Sequence, residues 1–222
     1  SRYEASAEAG AAHFIEHMLF KGTSRYTASQ LAEAMDAVGG QVNAFTTRDS
    51  TCFHARVLDT HLSLAIDILA DMFFDSNFSE ADAAGERGII LEEIDMYEDT
   101  PEDVVAEELF RVSFPGTLGK PVLGRPDSLS GLTGTALRAF KDAKYTGSRI
   151  VVSLGGSFSD EDIARIERRF SVLPAAPVAP CTPDEYTTAF AIRKKATEQN
   201  HLILGFPGLS TASEDRFAMQ LF

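Results

Sequence analysis

The stretch HFIEHMLFKGT, residues 13–23, sets two histidines and a glutamate among Phe14, Ile15, Met18 and Leu19 on what reads as one short helix. Ionisable groups placed against an apolar surface cost free energy unless something pairs with them. The fold must therefore bring a partner to this helix, and a metal ion is one such partner. On a helix advancing about 100° per residue, His13 and His17 point about 40° apart, with Glu16 about 60° to the other side of His13. All three side chains enter one region. That suits two imidazole ligands to zinc, with a carboxylate beside the metal-bound water as general base. The order H-x-x-E-H is the zinc-protease arrangement H-E-x-x-H reversed along the helix. Five residues alone also fit core histidines satisfied by ordinary hydrogen bonds.

A catalytic zinc has three protein ligands and keeps its fourth position for water, so the rest of the chain should supply another ligand. GERGIILEEIDMYED, residues 85–99, does so. Glu86, Ile89, Ile90, Glu93 and Tyr97 follow the i, i+3, i+4, i+7 spacing of one helical face, which should be buried. Glu92 shares the opposite face with Gly88, Asp95 and Asp99, where water solvates it. Glu93 thus needs a partner that Glu92 does not. Zinc is the obvious one, with Glu86 assisting it or holding a ligand in place. The alternative is that Glu86 and Glu93 pair with Arg87, Arg111 or another base.

A net charge of −13 argues against nucleic acid or an anionic membrane as the main partner, because neither RRF (168–170) nor IRKKA (192–196) makes a substantial basic patch. No apolar run is long enough to span a bilayer. The first residues, SRYEASAEAG, lack the features of a signal peptide. The compartment stays open, with the cytoplasm as the default expectation. Cys52 and Cys181 are too few for a disulfide framework and read as packing thiols.

Along the chain, residues 11–20 read as a helix, followed by TASQLAEAMDAVGG with Thr27 as N-cap and Gly39-Gly40 as its stop. QVNAFTTRDSTCFHARV alternates as two paired strands. THLSLAIDILADMFFDS is an amphipathic helix with Leu62, Ala65, Ile66 and Leu69 on one face. The stretch from Ser79 to Phe110 is helical on both sides of a break before Pro101. SRIVVSLGGSF (148–158) reads as the clearest strand, and a helix capped by Ser159 follows it. PAAPVAPCTPDEY (174–186) is a Pro-rich linker, NHLILGFPGLS an apolar strand, and SEDRFAMQLF the opening of a further helix.

Taken together, GAAHFIEHMLFKGT and ERGIILEEIDMYEDTPED, with GGQVNAFTTRDST, PVLG, SRIVVSLGGSF and HLILGFPGLS, resemble the pitrilysin or insulinase family of zinc metallopeptidases. The likeness is nearest to bacterial members similar to the catalytic subunit of the mitochondrial processing peptidase. The resemblance implies an α+β chain of the LuxS/mitochondrial-processing-peptidase-like metallohydrolase fold, a mixed or antiparallel sheet with helices packed on it. It implies one Zn²⁺ per active site held by His13, His17 and Glu93, Glu16 as catalytic base and Glu86 in support. It also implies a peptide substrate added as an extra strand along Asn43 and Ala44. That strand reads equally well as an ordinary sheet strand.

The domains expected on this basis are a zinc peptidase domain over 1–173, a linker over 174–186, and over 187–222 the start of a second, similar domain that is cut short. A first strand and the substrate-binding residues of a following domain are missing from the pattern, so the chain reads as a fragment. The function expected is zinc-dependent endopeptidase action on extended peptides, within a closed chamber formed by a homodimer or heterodimer. The rivals are a non-catalytic partner subunit of the same family and a metal-free scaffold with buried histidines.

Overall fold

A computed structural model describes residues 1–177 and 184–221. Helix α1 (Ala11–Leu19) starts where Gly10 turns the chain at φ 93°. A Cβ on Gly10 would meet the Leu123 carbonyl oxygen at 2.8 Å, so conformation and space both demand glycine there. The buried Glu4 carboxylate accepts from the Gly10 and Ala12 amides at 3.0 and 2.8 Å, satisfying donors that the helix start leaves open. Phe14, Ile15, Met18 and Leu19 then face inward. They form the centre of a core completed by Leu31, Met35, Ile68, Met72, Ile90 and Leu137.

Helix α2 (Ala28–Asp36) is capped by Thr27, whose side chain accepts from the Gln30 amide. Strands β1 (Gln41–Thr46) and β2 (Thr51–Arg56) form an antiparallel hairpin, in register from Gln41↔Arg56 to Thr46↔Thr51. Helix α3 (Leu62–Asp75) buries Ala65, Ile66, Ile68 and Met72, whereas Leu62 and Leu69 are half-buried, so its inward face is rotated from the expected one. Ser79 caps α4 (Glu80–Asp99), and Thr100 breaks the chain before α5 (Pro101–Ser113), which carries Pro101 in its first turn. Short α6 (Pro126–Ser130), α7 (Gly134–Lys144), α8 (Asp160–Phe170) with its Ser159 capping box, and α9 (Arg216–Met219) complete the helices among the described residues. No helix among the described residues is long and apolar enough to cross a membrane.

The chain is α+β, but the sheet is smaller than its sequence suggests. Residues 148–158 and 201–210 are not strands: a 3₁₀ turn covers Gly147–Arg149, and no ladder forms beyond it. Val151 is 91% and Leu202 81% exposed. A β-propensity run becomes a strand only when a partner satisfies its amides and carbonyls, and among the described residues β1 and β2 form the sheet, with isolated bridges at Gly22↔Thr27 and Thr23↔Ser76. The described parts of the Pro-rich stretch, 174–177 and 184–186, carry neither helix nor strand, and its centre, with Cys181, lies outside the described residues. Cys52 is a free thiol on β2.

Candidate metal centre

Helices α1 and α4 pack against each other and set the polar residues of their facing stripes together. The rings of His13 and His17, one turn apart, lie edge to face with centroids 4.6 Å apart. Across from them, Glu93 on α4 places one carboxylate oxygen 3.7 Å from His13 Nε2 and the other 3.7 Å from His17 Nε2. One donor atom from each of the three residues falls within 4.8 Å of the others. Two ligands each about 2.0–2.1 Å from a tetrahedral ion stand about 3.3–3.4 Å apart. A separation of 3.7 Å is too long for a hydrogen bond and close to the spacing of groups arranged around a common centre.

About two turns earlier on α4, the buried Glu86 reaches His17 from behind, Oε2 lying 2.9 Å from Nδ1. Its other oxygen is 2.6 Å from Lys21 Nζ. A carboxylate only accepts, so His17 carries a hydrogen on Nδ1, and its Nε2 faces Glu93. Arg87, the alternative partner for these glutamates, instead donates to the Leu129 and Leu132 carbonyls, and Arg111 pairs with Glu108. Glu92 is exposed, as the sequence pattern requires. The stripe is nevertheless buried only at Glu86 and Ile90, because Ile89 is 43% and Tyr97 46% exposed. Tyr97 belongs instead to the wall of a groove.

The electrostatics of the cluster favour a cation. Burial first, and the neighbouring His17 second, hold His13 down to about 4, so its ring is neutral at neutral pH. Its buried Nδ1 has no hydrogen-bond partner. Burial pushes the Glu93 carboxyl up, opposed by His17 and reinforced by the like charges of Glu16 and Glu86. Imidazoles beside crowded carboxylates are the donor set that a divalent zinc ion accepts.

Glu16 points to the other side of His13, where its Oε2 accepts from the Thr46 hydroxyl at the end of β1. There an open groove of about 1010 Å³ begins, lined by His13, Glu16, Ala44, Thr46, Tyr97 and Phe110 among others. Ala44 therefore joins the groove. Asn43 does not: its side chain accepts from the Ala44 amide, and it borders a smaller cavity of about 470 Å³ with Gln41, His54 and Arg56. Thr46 and Lys21 are the residues that sequence reasoning missed. The period of two that brings Val42 and Ala44 to one face also brings Thr46 there, so its signal was present. Lys21 lies beyond the end of α1, where helical spacing gives no guidance.

A family model described as Insulinase (Peptidase family M16) matches residues 1–125, a stretch that contains the whole cluster. The chain belongs to the insulinase family. A second model, Peptidase M16 inactive domain, matches residues 131–222. Among relatives, an uncharacterized zinc protease of Bacillus subtilis, YmxG, is 44% identical over 96% of this chain and 53% of its own length. An uncharacterized zinc protease of Streptomyces coelicolor is 42% identical over 99% of this chain and 50% of its own. The chain thus spans about half the length of these relatives. Similar solved structures include a protease from Helicobacter pylori, with a TM-score of 0.73 at 21% identity, covering 83% of this chain and 45% of that one. A peptidase M16 inactive domain from Pseudomonas fluorescens has a TM-score of 0.75 at 20% identity, covering 83% and 46%. These last two likenesses bear on the fold.

Proposed function

We propose that this insulinase-family chain carries the catalytic half of a zinc metalloendopeptidase, with His13, His17 and Glu93 as metal ligands and Glu16 as general base. The observation that carries the reading is the placement of three donor groups within 4.8 Å of one another, beside a fourth carboxylate that opens onto a groove. When bound, zinc supplies Lewis acidity, polarising the scissile carbonyl and acidifying the attacking water. Glu16 takes that water's proton on Oε1, since Oε2 is occupied by Thr46, and later returns it to the leaving amine. Glu86 fixes the His17 ring and its tautomer. Among the described residues no strand pairs with the outer edge of β1. An extended peptide adds there by backbone hydrogen bonds and runs past Ala44 toward Glu16. The rest of the protein, or a second copy, closes the groove into a chamber.

The name of the second family model favours one rival, a non-catalytic partner subunit. The residues proposed for chemistry all lie in the stretch matched by the first model, and all are present.

The test is made on the intact protein. It should hydrolyse an internally quenched peptide, stop when 1,10-phenanthroline removes the metal, and resume when zinc is returned. Hydrolysis that persists in chelator overturns the zinc reading, and an inert protein with bound zinc favours the partner subunit. A smaller effect is expected of Lys21→Met. Without the ammonium, Glu86 holds His17 less firmly, and zinc affinity should fall by about tenfold, read by competition with a chromophoric chelator.

A further inference from the structure

The Thr46 hydroxyl stands at the junction of the hairpin and the candidate site. It donates to Glu16 Oε2 and lies 3.2 Å from Thr51 Oγ1, its cross-strand partner at the last pair of the ladder. The Tyr145 side chain just beyond α7 lies beside Thr51, which lowers its pKa against the rise that burial causes. The direction at the glutamate is fixed. A carboxylate accepts only, so Thr46 spends its single hydrogen on Glu16. Burial pushes the Tyr145 hydroxyl up to about 12, so it stays protonated throughout the neutral range. Three hydroxyls from β1, β2 and the end of α7 thus gather behind one oxygen of a glutamate carried by α1, and Thr46 is the one that touches it. None of them is needed to bind metal, and the core on the far side of α1 is apolar.

We propose that Thr46 is a positioning residue that locks the Glu16 carboxylate by one oxygen and leaves the other free toward the groove, with the Thr51 hydroxyl on the neighbouring strand seated against it. The inference rests on the peptidase reading above for its consequence, but not for its geometry. A glutamate side chain has three rotatable bonds, and a general base must stay within hydrogen-bond reach of the proton it takes. Misplacement by about 1 Å can cost on the order of 100-fold in rate. β1 is also the strand along which the peptide is proposed to bind. The same six-residue strand therefore aligns the substrate through its backbone and the base through a side chain.

The experiment compares Thr46→Val, Thr46→Ser and Thr51→Val in the intact protein, with Glu16→Gln as reference. It reads kcat, KM and zinc per chain on an internally quenched peptide. Valine preserves the shape and strand preference of threonine but cannot donate. Thr46→Val should lower kcat by about 10–100-fold with KM within about twofold and zinc unchanged. Thr46→Ser should restore kcat to within about threefold, and Thr51→Val should fall between the two. Wild-type kcat in Thr46→Val, or equal losses in the valine and serine variants, would overturn the proposal. A crystal structure of Thr46→Val gives a reading independent of activity. The Glu16 carboxylate should leave its place against β1, and an unmoved carboxylate would refute the role. Should Thr46→Val fail to fold, Thr51→Val carries the same kcat and structural comparison. A displaced Glu16 in a protein with no peptidase activity supports the positioning role and sinks the peptidase reading instead, so the two failures are distinct.

Discussion

Glu16→Gln is expected to lower peptide turnover by about 100- to 10,000-fold while the protein keeps its full complement of zinc. The substitution is nearly isosteric, and the amide oxygen of glutamine can still accept from Thr46, so the fold and the groove should survive. What is lost is the basic oxygen facing the groove. Glu16 lies on the far side of His13 from the direction of His17, and it is not among the three groups gathered around the candidate metal position. Metal content by elemental analysis and kcat on a quenched peptide should therefore separate. Loss of zinc in this variant would place Glu16 among the ligands, and undiminished turnover would remove it from the chemistry.

How much of this was legible beforehand depended on whether the determining contacts were local. Helix limits were: Thr27, Ser79 and Ser159 each accept from an amide three residues on, and Pro101 opens α5. The contrast between Glu93 and Glu92 was legible too, because adjacent positions on a helix point about 100° apart and only one of them can meet α1. The strands expected at 148–158 and 201–210 were not, because a strand depends on a partner that the strand's own sequence does not encode. Ile89 and Tyr97 failed for a related reason: periodicity marks a face, but burial requires another element to cover it. Glu86 was assigned a supporting role from spacing alone, yet the way it works through both His17 and Lys21 needed coordinates.

Glu93→Gln should reduce zinc from one per site to near none after dialysis, and turnover with it, whereas Glu92→Gln should change neither. Glu93 is the only residue outside α1 in the three-donor group, and its two oxygens face the two histidines separately. A neutral amide cannot supply the negative charge that offsets a divalent ion in a partly buried site, and its nitrogen would turn a donor toward the metal. Its neighbour differs by one position in the chain and is solvated on the opposite face, so any general effect of altering charge on α4 would appear in both variants. Elemental analysis of the wild type and the two variants, each dialysed together, makes the comparison internal. Equal zinc in Glu93→Gln and Glu92→Gln would dissolve the ligand set, because two histidines on one helix are one ligand short of a catalytic zinc site. Loss confined to Glu93→Gln would establish that α1 and α4 form the site jointly. The packing of Ile90 against the α1 core would then be part of the metal's affinity, since it fixes the separation of the two helices that share the ion.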